Sequence, residues 1–390
     1  MAIDWINKAV DAHFEEVVQY RRTIHQHPEL SFQEYNTAQF IQDRLPEISF
    51  TRVCGTGLIA LIEPLRNTEN APCIALRADI DALPIQEETN LDFASVNPGV
   101  MHACGHDMHT AILIGVSRII LENREKLQKK VKLVFQLGEE KLPGGASMMI
   151  DAGILENPKV EQMFGLHVFP EMESGKIGFR AGPYMASSDE IYLTIHGIGG
   201  HAALPHKSVD PIFIAAQIIV QAQAIVSRHA DPTVPSVLSF GYIEGLGATN
   251  VIPGKVVLKG TFRTMDEAWR KKAHQLLSDL VKSICQSHGA RADLTIEVGY
   301  PVLINHEQTT NYARAAVSRL FESEDIVDLS IRMTAEDFSY YSQKVPATFF
   351  RIGVKKPNTT ENYGLHNSRF NPDEQAMKYG MKALLSIVFS

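Results

Sequence analysis

The run Val-Met-His-Ala-Cys-Gly-His-Asp-Met-His, residues 100–109, gathers a thiol and several imidazoles within ten positions. Cys104 and His106 stand two apart with only Gly105 between them, so an extended segment would turn both side chains to the same side and offer one metal two ligands. Taken singly, a cysteine reads as a small buried hydrophobe and a histidine as a hydrogen-bonded core or surface residue. The weight comes from four other segments. They are Arg77-Ala-Asp79-Ile-Asp81-Ala-Leu-Pro84, Gln136-Leu-Gly-Glu139-Glu140, Gly165-Leu-His167-Val168 and Leu365-His366-Asn-Ser-Arg-Phe370.

Two adjacent carboxylates buried without a cation are costly, because like charges at short range raise one pKa strongly. A metal pair removes that cost. Consecutive residues at a strand end point in different directions, so Glu140 can bind metal while Glu139 faces a water. A solvated Glu-Glu pair in a loop is the competing reading; the apolar stretch before the pair and the Gly144-Gly145 turn after it weigh against that. Alone, His167 reads as a core histidine at a strand end and His366 as a surface residue. Together, Cys104, His106, Glu140, His167 and His366 supply one thiolate, three imidazoles and a carboxylate, enough for two zinc- or manganese-type ions sharing a ligand.

The elements that must position these groups are legible as periodicity. Over the first 180 or so residues strand-like and helix-like segments alternate, the pattern of an α/β layer with a largely parallel sheet. Helices are expected at 5–22 and 110–121, and strands at 57–63, 73–79, 131–137 and 163–168. The candidate ligands fall where strands end, the edge at which open α/β sheets bind ligands. After Gly182-Pro183 come a strand at 190–196, a Gly-rich turn, a helix at 211–228, strands at 236–243 and 255–263, a helix at 266–288 and a strand at 292–298. That order describes an open-faced sandwich. Helix and strand elements then return, ending in a helix at 372–390. The expected division is a catalytic domain of residues 1–183 and 299–390, interrupted by a smaller α+β domain of residues 184–298.

Bulk properties bound the function. A chain of 390 residues favours two domains. Hydrophobic residues at 45%, charged residues at 21% and a mean hydropathy of −0.08 describe a globular protein. The net charge of −8, with no lysine or arginine block, argues against a nucleic-acid partner. The longest apolar run, 211–226, is broken by glutamines and shorter than the ~20 residues that span a bilayer, so it reads as a buried helix and no membrane partner is expected. The N-terminal segment carries an early acid and no apolar core, unlike a secretory signal. Cys54, Cys73, Cys104 and Cys285 have no regular spacing, which fits a reducing cytoplasm.

Seven ordered runs carry a resemblance across essentially the whole chain. They are Arg-Arg-x-x-His-Gln-x-Pro-Glu-Leu-Ser from Arg21, Arg-Ala-Asp-Ile-Asp-Ala-Leu-Pro from Arg77, Met-His-Ala-Cys-Gly-His-Asp-x-His from Met101, Gly-Glu-Glu from Gly138, Gly-Gly-His-Ala-Ala-x-Pro from Gly199, Asn-Val-Ile-Pro from Asn250 and Leu-His from Leu365. The chain thereby resembles the hippuricase and N-acyl-amino-acid amidohydrolase branch of the aminoacylase/carboxypeptidase superfamily of dinuclear metallohydrolases. The resemblance implies a zinc-peptidase-like α/β catalytic domain with a mixed, largely parallel sheet, interrupted by a lid or dimerisation domain through which a homodimer or homotetramer forms. It implies Cys104, His106, Glu140, His167 and His366 as ligands of two divalent ions, zinc or manganese, Glu139 as general base and Asp79 as the acid that orients the centre. In the wider superfamily a histidine two residues before that aspartate is the first ligand. Here Arg77 stands there, a replacement the hippuricase branch shares, with Cys104 and His106 compensating.

His201 resembles the lid histidine that reaches the active site in relatives; its plainer reading is an exposed loop histidine. Asn250 and Arg263 are candidates for the substrate carboxylate, the arginine by a bidentate pair; a structural salt bridge is an equal reading of Arg263. The implied reaction is hydrolysis of an N-acyl (N-acetyl, N-benzoyl or similar) amino acid to carboxylate and free amino acid. A dipeptidase or carboxypeptidase of the same superfamily is the alternative. A non-catalytic metal-binding relative is disfavoured, because no metal requires Glu139.

Overall fold

The computed structural model describes residues 4–66, 69–359 and 362–390; residues 1–3, where the N-terminal segment begins, lie outside the described residues. The chain divides into two compact units, one comprising Met1–Gly182, Ile304–Ser330 and Asp337–Ser390, the other Pro183–Leu303 and Ile331–Glu336.

The first unit is built on an eight-stranded mixed sheet. Its four inner strands, Lys130–Gln136, Cys73–Asp79, Gln162–Glu173 and Ala347–Lys355, run parallel. Gly57–Ile62 and Thr51–Val53 add antiparallel on one side. On the other, Ile177–Phe179 pairs antiparallel with Ala347–Lys355 and parallel with Ile326–Asp328. A strand covered on both faces needs apolar residues at successive positions rather than at alternate ones. Cys73–Asp79 accordingly reads Cys-Ile-Ala-Leu-Arg-Ala-Asp and is buried throughout. The helices Asp4–Gln26, His106–Glu122 and Ala376–Val388 pack on one another and share a single apolar core with the sheet, including Val17, Ile112, Ile119, Leu76, Phe350 and Met381.

Two local expectations are corrected here. His167 does not end a strand: the strand continues to Glu173, because Gln162–Glu173 pairs with Ala347–Lys355 well past that point. Nor do Cys104 and His106 lie on an extended segment. The helix expected at 110 begins at His106, and Gly105 caps it in the left-handed conformation at φ 84°.

The second unit is an antiparallel sheet in the order Ser236–Glu244, Lys255–Thr264, Asp189–His196, Arg291–Val298. The helices Pro211–Ala224 and Glu267–Ser287 pack on its apolar side. Along Asp189–His196 every second residue is buried, the signature of a sheet covered on one face. Asp210 and Asp266 cap the two helices, accepting from the N–H groups of Ile212 and Phe213 and of Trp269. The helix expected at 211–226 to be buried is buried on one face. Ile214, Ala215, Ile218 and Ala222 are buried, but Ile212, Phe213 and Val220 face outward, the last 71% exposed. With its terminal π turn the helix reaches Pro211–His229, long and apolar enough to cross a membrane by length and composition, yet its inner face belongs to this unit's core.

Candidate active site

The parallel strands of the first unit stop unevenly, and the candidate residues collect at the step. Asp79 is the last residue of its strand and pairs with Gln136, the last of the neighbouring one. Arg77 lies opposite Gly165, which puts His167 level with Asp79 on the strand that runs on. Glu139 and Glu140 follow Gln136 by one short turn. Cys104 and His106 enter from the start of the His106–Glu122 helix. Gly105 is required there: a Cβ on it would sit 2.6 Å from Val168 Cγ2, in a backbone conformation L residues rarely adopt.

All five proposed ligands converge. Cys104, His106 and His167 form one group, and Cys104, Glu140 and His366 a second, each with its ligand atoms within 4.8 Å of one another. Cys104 is common to both. Its Sγ lies 3.4 Å from His167 Nε2, and His366 Nε2 lies 3.4 Å from Glu140 Oε1. His106, Glu139 and Glu140 form a further group. His366 is the exposed member, held in the left-handed region at φ 62° by its N–H bond to the Ala103 carbonyl.

The hydrogen-bond network fixes which nitrogen each imidazole turns inward. His106 Nδ1 faces only acceptors, the Asp81 carbonyl at 2.9 Å and Asp81 Oδ1 at 3.1 Å, so Nδ1 carries the proton and Nε2 offers its lone pair. His167 Nδ1 donates to the Val168 carbonyl at 2.8 Å, which leaves its Nε2 free toward Cys104. His106 Nε2 and Glu140 Oε1 are buried and have no hydrogen-bond partner among the described residues. Leaving such atoms bare costs on the order of 1–3 kcal/mol each. A divalent cation is the partner that suits two lone pairs beside a thiol, so the donor set fits a metal centre.

The local field agrees. Burial, then Glu140, Glu139 and Asp79, push the Cys104 thiol well above its usual range. At His106 burial opposes the charged form, but Asp79, Asp81 and Glu140 outweigh it and raise the pKa to about 10. Burial, reinforced by Arg351 and His109, holds His167 neutral, its pKa well below the ordinary value. Negative groups around the thiol and His106 make the field of a cation site, and a bound cation would take the place of a proton on His106 Nε2 and reverse both upward shifts.

Asp79 and its surroundings were only partly legible in sequence. Its Oδ1 accepts from His109 Nδ1 at 2.6 Å and its Oδ2 from Arg77 Nη1 at 2.7 Å, while Oδ2 stands 3.5 Å from His106 Nε2. Burial would raise the Asp79 pKa, but Arg77, His106 and His109 hold it well below the carboxylate range. His109 Nε2 accepts the Val168 N–H at 3.0 Å, so both its nitrogens are engaged and it acts as a strut. Arg77 also donates to Gln136 Oε1 at 2.9 Å and to Asp337 Oδ1 at 2.8 Å. It therefore joins two buried carboxylates rather than replacing a ligand.

Three contributors were given no role by the sequence. Asp81, spaced two from Asp79 in the same run, orients His106 and accepts the Glu140 N–H at 2.9 Å. Asp337 accepts from Gln136, Arg77 and the Ala146 N–H, and its own N–H points to Glu139 Oε1 at 3.4 Å. Nothing in the stretch around Asp337 signals this. Glu34 is the third, holding the Gly138 N–H at 2.8 Å.

The other named residues lie in the second unit. His201 and Asn250 come together: Gly200–His201 pairs with Val251–Ile252, and the Ala202 N–H donates to the Asn250 carbonyl at 3.0 Å. Both residues are exposed, and His201 Nδ1 accepts from the Ala203 N–H at 3.1 Å. Arg263 stands apart near the far end of Lys255–Thr264, half-buried, with Nη1 directed at the Met333 carbonyl at 3.4 Å.

Comparison with known proteins fits this arrangement. Residues 75–390 match the model of Peptidase family M20/M25/M40. An N-acyl-L-amino acid amidohydrolase of Geobacillus stearothermophilus is 41% identical over 308 residues, covering 79% of this chain and 83% of the relative. Thermostable carboxypeptidase 1 of Saccharolobus solfataricus is 37% identical over 379 residues, 96% of this chain and 95% of the relative. Among solved structures, the YXEP protein of Bacillus subtilis, a dinuclear metal binding peptidase of the M20 family, is 34% identical with a TM-score of 0.82, covering 97% of this chain and 98% of that one. The chain belongs to peptidase family M20/M25/M40 and is thereby a hydrolase.

Proposed function

We propose that this protein hydrolyses the amide bond of N-acyl amino acids, releasing a carboxylate and a free amino acid, as an N-acyl-amino-acid amidohydrolase close to the hippuricase branch. The observation that carries the reading is Glu139. It is buried beside the ligand cluster, groups with His106 and Glu140, and is aimed by the Asp337 N–H. In this reading Cys104, His106, Glu140, His167 and His366 hold two divalent ions, zinc or manganese, and Asp79 orients the centre. When bound, such ions polarise the acyl carbonyl and make water acidic enough to react near neutral pH. Glu139 takes the proton of the attacking water and returns it to the departing amine nitrogen. His201 is assigned to the developing oxyanion, and Asn250 and Arg263 to the substrate carboxylate.

The second unit is assigned the role of lid and of contact between copies, in a homodimer or homotetramer. Exposed Ile212, Phe213, Val220 and Leu246 give it the apolar surface such a contact uses. Free Cys54, Cys73, Cys104 and Cys285 support a cytoplasmic location.

The carboxypeptidase relative, at 37% identity, favours a second reading, in which the same centre cleaves a terminal peptide bond. The two are separated by incubating metal-depleted protein, with and without Zn²⁺ or Mn²⁺, with N-acetyl and N-benzoyl amino acids and with dipeptides, and measuring released amine. Metal-dependent release from acyl amino acids is the expected result. Release from dipeptides alone would establish the peptidase reading, and Cys104→Ala with undiminished metal content would remove Cys104 from the ligand set.

A further inference from the structure

Glu139 projects from a loop, and a loop residue keeps a catalytic direction only when its flanking peptides are held. Both flanks are held, and one clamp comes from 104 residues earlier in the chain. Glu34 is fully buried. Its Oε1 accepts the Gly138 N–H at 2.8 Å and the Phe32 N–H at 2.9 Å, and its Oε2 accepts the Thr56 hydroxyl at 2.6 Å. The carboxylate thus serves purely as an acceptor for three donors, each from a different part of the fold.

The same short segment carries strain. Phe32 sits at φ 68°, a region that is strained for a bulky residue and kept only when its surroundings impose it. There its ring covers Gly138, itself at φ 55°, so closely that a Cβ on that glycine would lie 2.3 Å from Phe32 Cε1. Ser31 completes the grip: its hydroxyl donates to Asp81 Oδ2 at 2.6 Å, and that oxygen also receives the Glu140 N–H. Residues 31–34 therefore bear on the Leu137–Gly138 peptide directly and on the Glu139–Glu140 peptide through Asp81, on either side of Glu139.

We propose that Glu34 is a positioning residue for the general base, fixing the Leu137–Gly138 peptide under the Phe32 ring and so setting the direction in which Glu139 leaves the loop. The proposal rests on the reading of Glu139 as the base. Glutamine at position 34 keeps Oε1 for the two N–H groups and can donate its amide to Thr56; alanine keeps neither.

The test compares Glu34→Ala, Glu34→Gln and Glu139→Gln with the unaltered protein, equally loaded with metal, on an N-acetyl amino acid and, in parallel, a dipeptide. It measures kcat, KM, metal content and amide exchange of residues 138–140. Glu34→Ala is expected to lower kcat about 10–100-fold, as a misplacement of order 1 Å does, with KM and metal content kept and faster exchange at 138–140. Glu34→Gln is expected to restore both kcat and protection. If Glu34→Ala does not fold, Glu34→Asp, which withdraws the carboxylate by one methylene, carries the same expectation. Unchanged kcat in Glu34→Ala, or a loss that tracks metal content or that glutamine fails to restore, would overturn the proposal. Full activity in Glu139→Gln would instead overturn the reading of the base.

Discussion

The two units bury charge in opposite ways. In the second, Asp189 lies at the base of the sheet with both oxygens taken, by Arg270 Nε and Nη2, by His274 Nε2 at 2.7 Å and by the Gly299 N–H at 3.3 Å. In the first, Asp79 and Asp81 are likewise saturated, but His106 Nε2 and Glu140 Oε1, 3.9 Å apart, have no hydrogen-bond partner among the described residues. A closed knot of buried charge specifies structure, because each donor has already spent its capacity. A knot with an open end specifies a ligand. Both clusters contain carboxylates, histidine and arginine; the balance of donors and acceptors tells them apart.

That contrast can be pressed from either side. The largest effect is expected at the open site: Glu139→Gln should lower turnover by roughly 10²–10⁴ while metal content measured by mass spectrometry stays intact. Normal turnover would place the proton transfer elsewhere. The closed knot should respond in stability instead. Asp189→Ala leaves buried Arg270 with only the Glu267 carboxylate and two carbonyls, and should cost on the order of 3 kcal/mol in chemical denaturation, with metal content unchanged. A loss of metal in that variant would mean that the two regions are not separable.

A smaller change is expected from Asp81→Ala, which removes the partner of His106 Nδ1 and should weaken metal affinity about 10–100-fold in a chelator competition. Equal affinity would reduce Asp81 to a loop anchor. The smallest effect is one of pH. Burial raises the Asp189 pKa, but His274 and Arg270 more than offset it and hold the value below that of the unfolded chain. Its contribution is therefore fully present above the unfolded value of about 3.9 and is lost as pH falls through the folded one. Acid denaturation of Asp189→Asn should accordingly show a shallower loss below about pH 4 than that of the unaltered protein.

Much of this was legible in the chain itself, for reasons visible in particular residues. The strand Cys73–Asp79 announces itself because burial on both faces demands a continuous apolar run. The ligand types of Cys104, His106 and Glu140 lie in short, dense motifs, and the structure brings them together. What local pattern cannot hold is the far partner. Arg77 meets Asp337 across 260 residues and Gly138 meets Glu34 across 104, and neither pairing leaves a periodic trace. Residues 331–336 join the second unit without any turn or composition signal to mark the crossing. The strand through His167 runs on because a neighbour far along the chain pairs with it, a tertiary effect that overrides its own sequence.

The central claim is that Cys104, His106, Glu140, His167 and His366 hold a metal pair beside Glu139. Crystals grown with Zn²⁺ or Mn²⁺ and measured on both sides of that metal's absorption edge address it directly. The account predicts two anomalous peaks, one within the group of Cys104, His106 and His167 and one within the group of Cys104, Glu140 and His366. Peaks elsewhere, or none at full metal loading, would contradict it.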